Sequence, residues 1–205
     1  MRDVHWAKRT FDFCCAAVGL VVLSPVLLVL ALAVELTGGP PVLFRQQRVG
    51  WNGRDFTLCK FRTMTVLADA ERGAFAPGNI QRVTPLGRFL RRTKFDELPQ
   101  LWNVLRGDMS LVGPRPEVRK WVEVYPERWA KVLEVRPGIT DPASIQFRHE
   151  EEFLARSANP ERTYRDVVLP QKLDLYEAYV RQQSFLGDLA ILGKTAWVVL
   201  FPPRR

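Results

Sequence analysis

Residues 93–116, TKFDELPQLWNVLRGDMSLVGPRP, set an adjacent acid pair, Asp96 and Glu97, directly after a basic run of Arg88, Arg91, Arg92 and Lys94. Thr93 stands three residues before Asp96, the spacing of a helix start. The helix that follows carries Leu98, Leu101, Trp102 and Leu105 on its apolar face and ends at Arg106 and Gly107. The stretch closes on Gly113-Pro114-Arg115-Pro116, where two prolines hold Arg115 stiffly. Two readings of the acid pair stand side by side. In one, both carboxylates stabilise a helix N-terminus, where the macrodipole favours negative charge. In the other, an aspartate near several guanidinium groups keeps its charged form and serves as a nucleophile or metal ligand at neutral pH. Capping needs one acid and accounts for neither the arginines nor the Gly-Pro-Arg-Pro. Carboxylates among arginines suit phosphoryl transfer, which depends on positioning and charge neutralisation. Oxygen-only ligands suit Mg²⁺, which takes one or two carboxylates and shares the substrate's phosphates.

The composition agrees with an anionic partner. The chain has 205 residues and a formal charge of +8, with a pI of about 9.8. That length fits one domain with a real core, and the charge suits anionic lipid, nucleic acid or a phosphorylated small molecule. Cys14, Cys15 and Cys59 are odd in number and two lie in an apolar run, so they read as reduced residues, buried and facing cytoplasm or lipid. With only His5 and His149, a histidine metal site is not suggested. The sequence has no P-loop, dinucleotide fingerprint, H-E-x-x-H or nucleophile elbow.

Residues 11–36 are almost wholly apolar, interrupted by Asp12 and Glu35 near the ends. Roughly 26 residues of helix rise about 39 Å, enough for a hydrocarbon core of about 30 Å. The run is too long for a signal-peptide core, and no small-residue cleavage site follows before Pro40 and Pro41. Ser24 and Pro25 interrupt it near the middle, where a proline favours a sharp bend. Arg2, Lys8 and Arg9 precede the run, and Arg45 and Arg48 follow it. Positive residues prefer the cytoplasmic side, so a re-entrant hairpin that enters and leaves on one face is the expectation. A kinked span and a soluble core helix are the alternatives.

Residues 42–49 and 55–62 read as antiparallel strands around Asn52-Gly53, a strong hairpin signal. Arg45, Arg48, Lys60 and Arg62 lie along them, either as a basic working surface or as a solvated sheet edge. A helix is expected over residues 65–72 and a flexible loop over 74–82, and residues 86–92 set Leu86, Phe89 and Leu90 among arginines. Another helix runs from Pro116 to residue 135, bent at Tyr125 and Pro126, with Trp121, Tyr125 and Trp129 on one face as core. Residues 136–142 read as a turn-rich loop and 160–183 as an amphipathic helix. Residues 185–201, with Asp188 and Lys194, read as a helix lying in a membrane interface. The fold class expected is mainly α with a small β-hairpin (α+β). Residues 1–40 form a membrane hairpin and 41–205 a cytosolic catalytic domain at the membrane surface.

The run from Phe95 through Pro116 closely resembles the signature of the bacterial sugar transferases, the monotopic polyprenyl-phosphate phosphoglycosyltransferases. Lys60-Phe61-Arg62-Thr63-Met64 looks like their Lys-Phe-Arg motif, and Arg136-Pro137-Gly138-Ile139-Thr140 like their Pro-Gly-Ile-Thr loop. Ser24-Pro25 matches the break in their re-entrant helix. The resemblance runs from about Lys8 onward, and the length is similar to that of the smallest members, which carry the catalytic unit alone. It implies transfer of sugar-1-phosphate from a UDP-sugar to undecaprenyl phosphate with release of UMP, the first membrane-bound step of glycan assembly. It further implies that Asp96 is the nucleophile of a ping-pong cycle. Glu97 then helps hold Mg²⁺ or assists proton transfer, while Lys60, Arg62, Arg91 and Arg115 bind phosphates. Arg91 is preferred to Arg92 on spacing, and Lys60 has a structural strand role as its alternative. The bacterial inner membrane is an implied partner and a homodimer a possible one; nucleic acid is not. A membrane-anchored basic binding module without catalysis is the competing class. After Pro-Gly-Ile-Thr the chain reads Asp141-Pro142-Ala143-Ser144 where many members have Gly-x-Ala-Gln, which bears on donor preference.

Overall fold

A computed structural model describes residues 2–65 and 82–201, with side chains from Trp6 onward. The helix expected over residues 65–72 and the loop over 74–82 lie outside them, apart from Thr65 and Arg82. The described chain is mostly helical with two small two-stranded sheets, an α+β arrangement.

Helices α1 (Arg2–Val22) and α2 (Ser24–Gly38) meet at a 64° bend. Pro25 has no N–H to give the carbonyl of Val21, and the Ser24 hydroxyl donates to that carbonyl instead, at 2.7 Å. No single helix among the described residues is long and apolar enough to cross a membrane, but this bent pair passes by length and composition. One face of α2 packs Leu30 and Val34 against Phe61 and Leu90, while Leu28, Val29, Leu32 and Leu36 on the rest of its surface are exposed. Cys14 also lies exposed and Cys15 and Cys59 are only partly buried, so the expectation of three buried thiols is corrected; all are free.

Strands β1 (Leu43–Val49) and β2 (Asp55–Phe61) pair antiparallel with Leu43 opposite Phe61 and Val49 opposite Asp55. The Asn-Gly signal holds: Asn52 and Gly53 take φ of 53° and 74°, where left-handed backbone suits these residues. Next come α3 (Pro85–Thr93), α4 (Gln100–Arg106) and β3 (Ser110–Val112). The helix expected after Pro116 is two, α5 (Arg119–Val122) and α6 (Pro126–Val132), because Pro126 starts a new helix. The loop expected over 136–142 contains a strand, β4 (Gly138–Thr140), parallel to β3. A Cβ on Gly138 would lie 2.1 Å from the Gly113 nitrogen, so this crossing needs bare backbone.

Helices α7 (Pro142–Gln146), α8 (Glu150–Ala155) and α9 (Pro160–Thr163) follow. A π turn (Tyr164–Val168) joins α9 to α10 (Leu169–Gln182), and α11 (Phe185–Leu200) ends the described chain. As expected, Trp121 and Trp129 are core. They pack on Tyr164 and Tyr176 with ring centroids 5.0 and 6.0 Å apart.

Helix α1 is fastened to α4, β3 and α11 through three polar side chains. Arg9 donates to the carbonyls of Val104 and Leu105 at 2.6 and 2.9 Å, satisfying the end of α4. Asp12 accepts from the Ser110 hydroxyl at 2.7 Å and the Leu111 amide at 3.1 Å. Lys8 donates to Asp188 at 2.5 Å and to the Val112 carbonyl at 2.9 Å, and Tyr179 donates to Asp188 at 2.8 Å. Asp188, 4% exposed, thus joins α1, β3, α10 and α11. Removing one member leaves a buried charge unpaired, so Asp188→Ala should cost about 3–5 kcal/mol in chemical unfolding. The apolar pair Lys8→Met with Asp188→Leu should recover most of that loss.

Candidate active site

The acid pair is not capped from Thr93. Thr93 belongs to the last turn of α3, where its hydroxyl donates to the carbonyls of Phe89 and Leu90. Lys94 then takes a left-handed φ of 62° and ends the helix. The chain turns into a single 3-10 turn, Phe95–Glu97, and α4 begins only at Gln100. Thr93 therefore forms no capping box with Asp96; the two acids, 5% and 7% exposed, lie in the first turn of the 3-10 element that leads into α4. Trp102 lies 52% exposed, and the buried face of α4 is made by Gln100, Asn103 and Val104 instead.

Arg115 decides how the two carboxylates differ. Its Nη2 lies 2.7 Å from Glu97 Oε1 and its Nη1 3.3 Å from Oε2, a two-pronged fork. Lys94 adds an ammonium 3.7 Å from Oε1. Burial by itself would raise the Glu97 carboxyl, but Arg115, Lys94 and Lys60 outweigh it and hold Glu97 well below the usual carboxylate range. Glu97 in turn pushes the Arg115 guanidinium further above its ordinary value. Asp96 has no such clamp. Burial, then the negative charge of Glu97, raise its carboxyl above the ordinary value, and Lys60, Lys94 and Arg91 offset only part of that. Its Oδ1 is buried without a hydrogen-bond partner among the described residues. The expectation that surrounding arginines favour ionised Asp96 is therefore corrected, because the nearest fork is occupied by its neighbour.

Lys60 sits on β2 with its ammonium 5.2 Å from the centre of the Phe44 ring opposite. Burial lowers it to about 8 against the pull of Asp96, helped by the like charges of Arg91, Arg48 and Arg115. Arg91 is held at two points, donating to the Thr63 hydroxyl at 2.9 Å and to Glu151 of α8 at 2.6 Å. Arg92 is exposed. Arg62 stands apart from this group: it donates to the carbonyls of Gly38 and Gly39 at the end of α2. Asp96, Glu97, Lys60, Arg91 and Arg115 thus share one electrostatic site, while Arg62 works at the foot of α2.

No cluster of three or more acidic, histidine or cysteine side chains suited to a metal exists among the described residues. An ion that takes one or two carboxylates and completes its shell from substrate phosphate and water fits what is present, with the buried Asp96 Oδ1 the oxygen that lacks a hydrogen-bond partner among the described residues. Glu97 keeps a lone pair on each oxygen beyond the Arg115 fork.

Three positioning residues were missed from the sequence. Asn103 donates to the Thr57 carbonyl at 2.8 Å and accepts from the Cys59 amide at 3.1 Å. It completes the open edge of β2 and ties the strand carrying Lys60 to the helix after the acid pair. An amide on the buried face of an apolar helix is the signal that marks it. Thr63 and Glu151 hold Arg91 from 28 and 60 residues away, and no local pattern marks them. The departure at Asp141 has a local cause: its carboxylate caps α7, accepting from the amides of Ala143 and Ser144 at 2.7 and 3.0 Å.

The family model for the bacterial sugar transferases matches residues 4–202. This chain belongs to the bacterial sugar transferase family. It is 40% identical over 193 residues to the uncharacterised sugar transferase EpsL of Bacillus subtilis, covering 94% of this chain and 87% of EpsL. It is 37% identical over 214 residues to the undecaprenyl-phosphate galactose phosphotransferase of Salmonella typhimurium, covering 97% of this chain and 41% of that one. It is 40% identical over 196 residues to the UDP-N-acetylgalactosamine-undecaprenyl-phosphate N-acetylgalactosaminephosphotransferase of Aeromonas hydrophila, covering 94% and 43%. This chain therefore spans less than half the length of those last two relatives.

A buried carboxyl raised above its ordinary value binds its proton more tightly folded than unfolded, so ionised Asp96 costs stability at neutral pH, and that cost fades as pH falls. Asp96→Asn should raise the melting temperature at neutral pH, with the gain shrinking as pH falls.

Proposed function

We propose that this protein transfers sugar-1-phosphate from a UDP-sugar to undecaprenyl phosphate, with Asp96 as nucleophile. The observation that carries the assignment is the asymmetry of the acid pair: Glu97 is forked by Arg115, while Asp96 keeps a buried oxygen free. The family and the printed activities of the Salmonella and Aeromonas relatives support the substrates.

In the first half-reaction an Asp96 oxygen attacks the β-phosphorus of the UDP-sugar. The bond to the bridging oxygen breaks and UMP leaves with its electron pair, giving an aspartyl phosphosugar. In the second, an oxygen of the lipid phosphate attacks that phosphorus, the aspartyl bond breaks, and the Asp96 carboxylate is restored. Arg91, pre-set by Thr63 and Glu151, and Lys60 bind the phosphoryl oxygens. Arg115 does its work through Glu97, keeping that carboxylate fixed beside the reacting group. Mg²⁺ at Asp96 and Glu97 would supply charge neutralisation for the diphosphate.

The bent α1–α2 pair, with exposed leucines and valines along α2, supports residence as a re-entrant hairpin in the inner membrane. Exposed Leu186, Trp197 and Leu200 on α11 offer a further apolar surface suited to an interface. The catalytic domain then meets its lipid acceptor at the cytoplasmic face.

Release of UMP from a panel of UDP-sugars tests the proposal. Asp96→Asn should lower the rate by about a thousandfold or more, some 4 kcal/mol of barrier, while membrane association persists; substantial residual turnover would overturn the assignment. The rate should rise with pH as raised Asp96 ionises and fall as Lys60 loses its proton near 8. Lys60→Arg should shift or remove that alkaline limb, and an unchanged limb would separate Lys60 from the phosphates.

A further inference from the structure

We propose that a cavity of about 370 Å³ at the foot of α2 is the docking site for the phosphate head of the polyprenyl-phosphate acceptor, an inference that rests on the function proposed above. Its volume falls within the range of small-ligand sites, roughly 300–1,000 Å³. The walls combine apolar Val34, Met64 and Leu86 with the hydroxyl-bearing Thr37 and Thr65 and one cation, Arg62. That mixture fits an amphiphile with an anionic head.

Arg62 is the built element of the site. It is 8% exposed, and its Nη2 donates to the carbonyls of Gly38 and Gly39. Its Nη1 is buried and meets no hydrogen-bond partner among the described residues. A buried guanidinium with an unmet N–H carries a desolvation cost that a phosphate oxygen would relieve. The N-terminal end of α3 borders the same cavity through Thr84, so the helix presents its positive end there.

Position and neighbours fit the acceptor rather than the donor. The cavity lies at the C-terminal end of α2, the second helix of the proposed membrane hairpin, on the face that carries Val34, Thr37 and Gly38. Arg62 and Thr63 are consecutive yet serve different sites: Thr63 holds Arg91 of the donor site, and Arg62 lines the cavity. The acceptor head would therefore wait one residue along the chain from the residue that orients the donor-binding arginine.

Calorimetric titration of the detergent-held full chain with a short-chain prenyl phosphate, and separately with UDP, tests the site. Thr37→Trp and Thr65→Trp place bulk at the rim; both positions are exposed, and among the described residues the Thr37 hydroxyl bonds to Ala33 of its own helix. Prenyl phosphate should bind about tenfold or more weakly in these variants while UDP binding stays within about twofold. Either variant showing that split supports the site, even should the other fail to fold. Unchanged prenyl phosphate binding in both would overturn it. So would loss of UDP binding in both, equal binding of the phosphate-free prenol, or equal competition by inorganic phosphate or a short-chain phospholipid. If the unmodified protein binds UDP but no prenyl phosphate, the proposed acceptor falls, and the site with it; binding that ignores the rim variants removes the site alone.

Discussion

Two buried carboxylates side by side repel each other's charge, and a cation fixed to one of them determines which stays ionised at low cost. Arg115 is that cation, forking Glu97 from a segment stiffened by Pro114 and Pro116. The rest of the site is arranged around this choice. Glu97, forked by Arg115, is held ionised well below the usual carboxylate range, while Asp96 keeps an unpartnered oxygen and a raised proton affinity. A nucleophile needs that free oxygen, and raised basicity makes a carboxylate a better attacker once it is ionised. The cations of Lys60, Lys94 and Arg91 are near enough to offset part of the penalty without engaging Asp96 in a close pair.

The scaffold serves the same end. Asn103 stitches the strand bearing Lys60 to α4, and Gly87 lets α3 approach the Thr63 carbonyl so closely that a Cβ there would lie 2.1 Å from it. That approach brings Arg91 to the Thr63 hydroxyl. From the other side, Arg9 and Asp12 of α1 hold the end of α4 and the start of β3. The proposed membrane hairpin is thus bolted to the catalytic segment through hydrogen bonds rather than tethered by a linker, which fixes the height of the site relative to that hairpin.

Much of this was legible in the sequence where the cause is local. The bend at Ser24 and Pro25, the Asn52-Gly53 turn, the stiff setting of Arg115 and the core role of Trp121 and Trp129 each follow from residues near one another. Most of what failed depends on distant partners. The sequence places arginines around Asp96 but cannot show that Arg115 returns to Glu97 or that Arg91 is held by Glu151 from α8. Hence the direction of the Asp96 shift came out reversed. Asp188 reads as a blemish in an apolar helix until Lys8, 180 residues away, is found against it. Strand β4 has three residues in a parallel pair, too short for any alternation to appear. Thr93 has the spacing of a cap, but the left-handed Lys94 ends a helix there instead of starting one.

The division of labour within the acid pair is most directly tested by intact-protein mass measurement after incubation with a cognate UDP-sugar in the absence of any lipid phosphate. The account predicts a mass increase of one sugar phosphate, mapped by peptide fragmentation to Asp96 and absent from Asp96→Asn. No adduct, with UMP released only when lipid phosphate is present, would contradict it, as would an adduct mapped to Glu97.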